Sequence, residues 1–463
     1  MNNKKEFQKL ENLNQQHLLT FWDKLNEIEQ KKLLNQIQNL DIEVFKLQQL
    51  LVKNPNSAPE IFEPFEEFKN SGNQELYSFG KEIIAGGKVG CLLIAGGQGS
   101  RLRFEGPKGM FPTSLIKRKS LFQIFSEKVV AASKQSNRSL PLAIMTSPLN
   151  DVETKTFFQN ESFFGLNKDQ ISFFSQKMLP LLDPNGNLFL DSLFHIAEGP
   201  DGNGNALKYF VDSGIWETWY KKGIRYLLYV LVDNPLTDPF DAELVGYHIK
   251  SGSEITVKTI KRDNESEKLG LLVKHGEQVL VKEYTEMFPE EQVARRTDGS
   301  LKHQVANMSV FCFNMNFVHR VGNLNEVEIP LHKAFKTATF LNSKGEISHP
   351  TKPNAWKFEH FIFDLLPFAS SVKALLSPRS ECYAPLKNFE GQHSIKQVQE
   401  AIQARDRTIY TQITKLPPPE HPFELAFDFY YPTIDLMEKY KNKPLPETPY
   451  MEPELFYKPP PSQ

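Results

Sequence analysis

Residues 92–110 read LLIAGGQGSRLRFEGPKGM. An apolar run feeds three closely spaced glycines, Gly96, Gly97 and Gly99, and the cations Arg101 and Lys108 follow. LLIA has the composition of a buried strand, and an open parallel sheet gathers its ligands at the carboxyl ends of its strands. Glycine lets the backbone approach a ligand closely, and successive loop N–H groups can point at phosphate oxygens. Full positive charge a few residues later then suits a polyphosphate. Two familiar phosphate loops fail on spelling. A dinucleotide fingerprint begun at Gly97 needs a third glycine where Leu102 stands, and a P-loop needs Gly-Lys-Ser/Thr at its end. What is left is a glycine-rich loop followed by PKGM, or else an ordinary strand-to-helix turn. The PKGM lysine weakens the second reading, because a lysine after proline in a loop has no core-packing role.

Working outward, short β-rich runs (VGCLLIA, LPLAIMT, QISFF, IRYLLYVLV, EITVKTI, VLVKEYT) alternate with longer helical or irregular pieces from Val89 on. That alternation predicts an α/β layer fold with a mainly parallel sheet. Two hairpins are expected, LLDPNGNLFL around an Asn-Gly turn and LLVKHGEQVLVKEY turning at His275-Gly276. NAWKFEHFIFDLLPF, residues 354–368, reads as an amphipathic helix. Upstream, Leu18, Leu19, Trp22, Leu25, Ile28, Leu33 and Leu34 recur at spacings of three and four, which predicts a pair of helices broken near Asp41. A polar, proline-bearing linker runs from KNPNSAP to about Gly72. From Lys415 the chain is rich in proline and aromatics (KLPPPEHPF, NKPLPETPY, YKPPPSQ), poor material for a helix or central strand, and an extended tail that packs on the body or stays mobile is expected there. The expected division is a helical region and linker over 1–85, a catalytic α/β domain over 86–370 and a smaller C-terminal region over 371–463.

Composition sets the outer bounds. The 463 residues suffice for two or three domains, and a formal net charge of −2 gives no global reason to expect nucleic acid as a partner. The 36 phenylalanines are expected to fill cores. Cys91, Cys312 and Cys382 show no metal or redox spacing, and Cys91 and Cys312 sit in apolar runs as reduced core residues. The N-terminus is charged with no hydrophobic signal region after it, and the longest apolar stretches are too short to span a bilayer. A soluble cytoplasmic protein with no membrane partner is therefore expected. No feature of the sequence specifies an oligomeric state.

Several polar residues invite a functional and an ordinary reading side by side. Asp233 closes the run YLLYVLVDNPL, where a carboxylate at a strand end suits Mg²⁺ held against phosphate oxygens, though a turn or cap aspartate fits too. Gln176 in FFSQKMLP offers both donor and acceptor to a base edge, or is a surface residue before a turn. PDGNG (200–204) is a turn by composition. Glu283 alternates with apolar neighbours, as on a solvated strand face, and Lys387 in PLKN is by itself a loop lysine.

The combination is more specific than its parts. LLIAGGQGSRL followed by PKGM and RKSLFQIFSEK resembles the eukaryotic-type UDP-N-acetylhexosamine pyrophosphorylases, within the wider UTP:sugar-1-phosphate uridylyltransferase family. The likeness recurs in order through HLLTFWDKL (17–25), MTSPLND, FFSQKMLP, PDGNG, VLVDNPL, VKEYTE, TKPNAWKFEHFIFD and PLKN (385–388), spanning roughly residues 17–390.

The resemblance implies a Rossmann-like mixed-sheet nucleotidyltransferase core that joins UTP to a sugar-1-phosphate, with N-acetylglucosamine-1-phosphate the expected sugar and glucose-1-phosphate the nearest rival. It implies that the Gly96, Gly97 and Gly99 loop holds the triphosphate, with Arg101, Lys108 and Lys387 on the phosphates. It gives Gln176 and Gly202 to the nucleotide, Asn203, Glu283 and Asn307 to the sugar, and Asp233 to Mg²⁺. His332 and Lys333 match the family's HKA stretch but receive no role. This chain departs from the pattern at Arg103, where glycine is usual, at Asn205, where a further glycine is common, and at ANM (306–308), which replaces GNI. Rival readings are a nucleotide-binding regulator without turnover, a dinucleotide-dependent oxidoreductase and an interaction scaffold.

Overall fold

Residues 3–54, 60–283 and 286–454 are described by the computed structural model. They gather into two units, each assembled from three separate stretches of chain.

The first unit takes Met1–Pro59, Gln176–Lys208 and Gly322–Leu365. Its helices are α1 (Lys4–Asn12), α2 (Glu27–Asn39) and α3 (Ile42–Lys53). The expected break near Asp41 lies between α2 and α3, and the Asp41 carboxylate caps α3 by accepting from Glu43 N and Val44 N at 2.9 and 3.0 Å. A reciprocal Asn26–Glu29 capping box starts α2. Residues 16–24, read as part of a helix, form two short 3₁₀ turns instead. The apolar faces of these elements (Leu10, Leu18, Leu33, Ile37, Phe45) share a core with Leu182, Leu188, Ile196, Leu331 and Phe358 from the later stretches.

The expected Asn-Gly turn is present, with Asp183 Oδ1 accepting from Asn185 N and Asn187 N, both at 2.8 Å. The Leu182–Leu188 bridge closes it, so the flanks form a tight turn and not a long ladder. The helix expected over 354–368 is not formed. Ala355–Glu359 is a strand paired antiparallel with His332–Lys336, and Ile362–Phe368 is a 3₁₀ segment containing Pro367. Cross-strand pairing claimed the first half, and proline is incompatible with a continuing α-helix in the second.

The second unit, Glu60–Ser175, Tyr209–Val321 and Leu366–Gln463, holds the main sheet. Its strands are β1 (Phe68–Asn70), β2 (Val89–Ile94), β3 (Leu142–Thr146), β4 (Ile171–Ser175), β5 (Tyr226–Leu231), β6 (Ile255–Lys261), β7 (Leu271–His275), β8 (Gln278–Lys282), β9 (Val305–Asn314) and β10 (Val372–Ser377). The spatial order is β1-β10-β6-β9-β5-β2-β3-β4, with the β7–β8 hairpin attached beside β9. The sheet is mixed: β9 runs antiparallel between β5 and β6, while β5-β2-β3-β4 and β6-β10-β1 pair in parallel. β2 is buried at every position, as its unbroken apolar run requires. The hairpin turn falls at Gly276–Glu277, one residue beyond the expected place.

Helices α4 (Gln74–Ala85) and α6 (Ala242–Ser251) cross at Gly80 and Gly246. A Cβ on Gly80 would lie 1.7 Å from Ala242 O, and one on Gly246 would lie 2.0 Å from Leu76 O, so only glycine permits this approach. α5 (Leu121–Ser136) covers the sheet, and Ser120 caps it through Gln123 N at 3.1 Å. All three cysteines are buried and unpaired, consistent with reduced core residues.

As far as it is described, the C-terminal stretch packs on the body, one of the two expected outcomes, but it folds into elements of its own and is not an extended chain. After α7 (Ile395–Thr414), residues 415–454 fold back and include α8 (Ile434–Tyr440) and a two-residue parallel pairing of Glu424–Leu425 with Tyr450–Met451. Phe423, Leu425, Phe429, Tyr440 and Met451 form their own core against Ile409, Tyr410 and Ile413 of α7. Glu424 Oε2 accepts from Ile116 N and Lys117 N, both at 3.0 Å, which ties this stretch to the segment before α5. The last proline cluster, YKPPPSQ (457–463), lies outside the described residues. No helix among the described residues is long and apolar enough to cross a membrane.

Candidate active site

The sheet register decides where the site sits. β2 and β5 run side by side in parallel with Ile94 opposite Leu231, so the glycine-rich loop and Asp233 leave the same sheet edge from neighbouring strands. This is the place where open α/β sheets collect ligands. The glycine loop turns back on itself: Gly99 N donates to Gly106 O at 2.9 Å and Lys108 N donates to Gly97 O at 3.1 Å. Gly97 is exposed, and a Cβ there would meet nothing within 4 Å, so its backbone faces open space. Gly99 has no such room, because a Cβ would come within 2.8 Å of the Phe104 ring.

Lys108 and Asp233 meet here, with Nζ 3.7 Å from Oδ2 and both side chains mostly buried. Burial is the main influence that lowers the Lys108 pKa below that of an ordinary lysine, and the charges of Lys387 and Arg101 lower it further, against the opposing pull of Asp233. The structure thus brings Arg101 and Lys387 within electrostatic reach of Lys108. Lys387 is brought in by its own segment: Leu386 N donates to Asp233 O at 2.7 Å. In the same unit Glu283 and Asn307 flank Gly270. Asn307 N donates to Gly270 O at 2.9 Å, and a Cβ on Gly270 would lie 3.2 Å from Glu283 Oε1. Asn307 Oδ1 accepts from Ser309 N at 2.9 Å, which fixes the orientation of its amide.

Gln176, Gly202 and Asn203 belong to the first unit. Gln176 is buried, not a surface residue. The PDGNG turn is zipped onto residues 360–362. Asn203 N and Gly204 N donate to His360 O at 3.1 and 2.9 Å, and Ile362 N donates to Asn203 Oδ1 at 3.0 Å. Gly202 has φ of 92°, and a Cβ there would lie 2.5 Å from His360 O, so this turn requires glycine twice over. Asn205, one of the departures, is buried and donates to Asp201 Oδ2 at 2.9 Å beside the His360 ring. It supports the turn from behind.

Three residues essential to this geometry were not singled out from sequence. Asn150, in MTSPLND, donates to Ala95 O and Gly97 O at 3.1 and 3.3 Å and accepts from Ser147 N, so it holds the root of the glycine loop. Asn234 donates to Cys382 O at 2.7 Å and accepts from Ala384 N at 3.0 Å, which locks the Asp233 loop to the segment leading to Lys387. Lys128 on α5 is only 2% exposed and donates to Pro235 O and Thr237 O at 2.6 and 2.8 Å. The signal available was polarity inside otherwise apolar or motif-bearing stretches, an asparagine beside each loop and a lysine within FQIFSEKVVAA.

Among the described residues no group of three or more His, Cys, Asp or Glu side chains forms a ready metal cage. The single carboxylate Asp233 fits a hard cation that takes its remaining ligands from substrate phosphates and water.

A glycine-rich loop carrying Arg101 and Lys108, the Asp233 carboxylate at the neighbouring strand end and Lys387 from a later loop suit a nucleotidyltransferase. Comparison with known proteins carries this to the family: the chain belongs to the family described as UTP–glucose-1-phosphate uridylyltransferase, which it matches over residues 24–409. It is an enzyme of the UTP:sugar-1-phosphate uridylyltransferase type, with UTP and a sugar-1-phosphate as substrates, in a family that typically uses a divalent metal. A relative from Saccharomyces cerevisiae named UDP-N-acetylglucosamine pyrophosphorylase is 34% identical over 324 residues, covering 68% of each chain. One from Arabidopsis thaliana named UDP-N-acetylglucosamine diphosphorylase 2 is 30% identical over 409 residues, covering 83% of this chain and 80% of its own. The crystal structure of the uridine diphosphate N-acetylglucosamine pyrophosphorylase from Trypanosoma brucei, in complex with an inhibitor, shares the fold with a TM-score of 0.75 at 22% identity, covering 98% of this chain and 99% of its own.

Proposed function

We propose that this enzyme joins UTP to N-acetylglucosamine-1-phosphate, giving UDP-N-acetylglucosamine and pyrophosphate, and that it does so in the cytoplasm. The observation that carries the chemistry is the Lys108–Asp233 pair, with Arg101 and Lys387 within electrostatic reach of Lys108, beside the exposed Gly97 backbone. The names of the yeast and Arabidopsis relatives support the choice of sugar.

In this reading an oxygen of the sugar phosphate attacks the α-phosphorus of UTP, the bond from the α-phosphorus to the bridging oxygen breaks, and pyrophosphate leaves. No protein nucleophile is needed. The task is to position two polyanions and to stabilise the charge that develops between them. The Gly96–Gly99 backbone cradles the triphosphate, Arg101 and Lys108 stabilise the reacting and leaving phosphates, and Lys387 reaches them from the turn beyond Leu386. Gln176 and Gly202 contact the uridine, and Asn203, Glu283 and Asn307 contact the sugar. Asp233 would hold Mg²⁺, which when bound draws charge from phosphate oxygens as a Lewis acid. Before that, Asp233 neutralises Lys108 and keeps a mostly buried cation from facing its fellows alone.

Pyrophosphate release tests the proposal, with UTP and Mg²⁺ and with N-acetylglucosamine-1-phosphate and glucose-1-phosphate offered separately. The expected result is a clear preference for the acetamido sugar. Preference for glucose would keep the mechanism and overturn the substrate. Silence with both, in protein that still binds UTP, would overturn turnover itself.

A further inference from the structure

Position 103 is where this glycine-rich loop departs from the pattern it resembles, with arginine in place of the usual glycine. The backbone explains the usual residue: φ of 55° and ψ of 37° fall in the left-handed region, which penalises any side chain. Arg103 neither crowds the loop nor turns into it. Its guanidinium lies 4.4 Å from the centre of the Phe389 ring and 3.8 Å from the Glu390 carboxylate.

Those two residues form the tip of the turn that begins at Lys387. The turn is closed by Lys387 N and Asn388 N donating to His393 O and by Asn388 Nδ2 donating to Gln392 O, while residues 387–392 are all exposed. Among the described residues, Arg103 makes the only ion pair or ring contact that Phe389 and Glu390 have. One side chain therefore spans the glycine-rich loop and the tip of the Lys387 turn.

We propose that Arg103 is a positioning residue, a clasp that holds the Lys387 turn against the glycine-rich loop so that UTP meets its cations already in place. The inference rests on the uridylyltransferase reading above. Rigidifying two phosphate-facing segments before the ligand arrives improves binding by reducing the ordering cost. It leaves the chemical step alone, because the same clasp is closed in ground and transition states.

The test uses the full chain, with UTP affinity measured by calorimetry alongside steady-state kinetics, for Arg103→Gly, Phe389→Ala, the double variant and Arg103→Lys. An exposed cation–π contact supports an expected weakening of UTP binding by about three- to five-fold in each single variant. The expected kcat is unchanged, the double variant should be no weaker than either single, and Arg103→Lys should recover part of the loss. Arg103→Gly should melt no lower than wild type, since glycine relieves the left-handed backbone, and protease cleavage within 388–392 should quicken. Wild-type UTP affinity in Arg103→Gly would overturn the clasp. So would additive losses in the double variant, which would make Arg103 a direct phosphate ligand. Failure of the wild-type protein to bind UTP would bring down the uridylyltransferase reading itself, and the clasp with it.

Discussion

Lys128 shows how much of the site's precision comes from a residue that never faces it. Its ammonium is buried, its pKa is lowered to about 7 chiefly by that burial, and it sits against two carbonyls of the loop that follows Asp233. Replacing it with methionine keeps the apolar stem but leaves Pro235 O and Thr237 O without a donor. We expect Lys128→Met to lose about 2 kcal/mol of stability in denaturant unfolding, together with a drop in kcat of about tenfold or more as Asp233 shifts. Undiminished turnover would show that the loop holds its place without the lysine. At this scale the sequence was legible where a residue type carries its own chemistry. Gly97, Lys108 and Asp233 stood out by type and position, and the structure places the exposed Gly97 backbone and the Lys108–Asp233 pair beside neighbouring strand ends. Asn150, Asn234 and Lys128 did not, because they act through hydrogen bonds to backbone atoms supplied by distant segments.

Among the elements, the crossing of α4 and α6 is the most demanding contact. Gly80 and Gly246 bring the two backbones so close that an added methyl group would overlap a carbonyl oxygen. Gly246→Ala should therefore cost about 3 kcal/mol, the upper end of what overpacking does, and lower the melting temperature accordingly. A variant as stable as wild type would mean that the helices can part without penalty. Strands were the legible elements, since continuous apolar runs such as VGCLLI and YLLYVL have few other uses. The stretch at 354–368 shows the opposite case. Ala355, Phe358, Ile362 and Leu365 are all buried, and their spacings of three and four match a helix. The first two belong to a strand and the others to a 3₁₀ segment, so helical spacing arose from two unrelated structures joined end to end.

For the whole molecule, the C-terminal stretch contributes pH sensitivity. Asp406 on α7 is 1% exposed, its Oδ1 accepts from Tyr430 OH at 2.7 Å, and burial raises its pKa from 3.8 to about 8. The native state therefore retains a proton that the unfolded chain gives up once the pH exceeds 3.8. The stabilisation from Asp406 is fully present below that point and is lost as pH rises to about 8. Melting curves recorded across this range should fall less steeply for Asp406→Asn than for wild type, and parallel curves would refute the assignment. Proline and aromatic content suggested an extended tail, packed on the body or mobile, because composition cannot show that Phe423, Phe429 and Tyr440 would find Ile409 and Ile413 on α7.

The composite first unit has a consequence for synthesis. Leu10, Leu18, Leu33 and Phe45 emerge from the ribosome some three hundred residues before Leu331 and Phe358, which close over the same core. At translation rates of about 5–20 residues per second, the nascent helices wait on the order of 15–60 s before their core is fully closed, with only Leu182, Leu188 and Ile196 joining them sooner. A ribosome-bound chain halted before residue 331 should therefore leave these apolar faces only partly covered by Leu182, Leu188 and Ile196, and limited proteolysis should cut the N-terminal helices faster there than in the released protein.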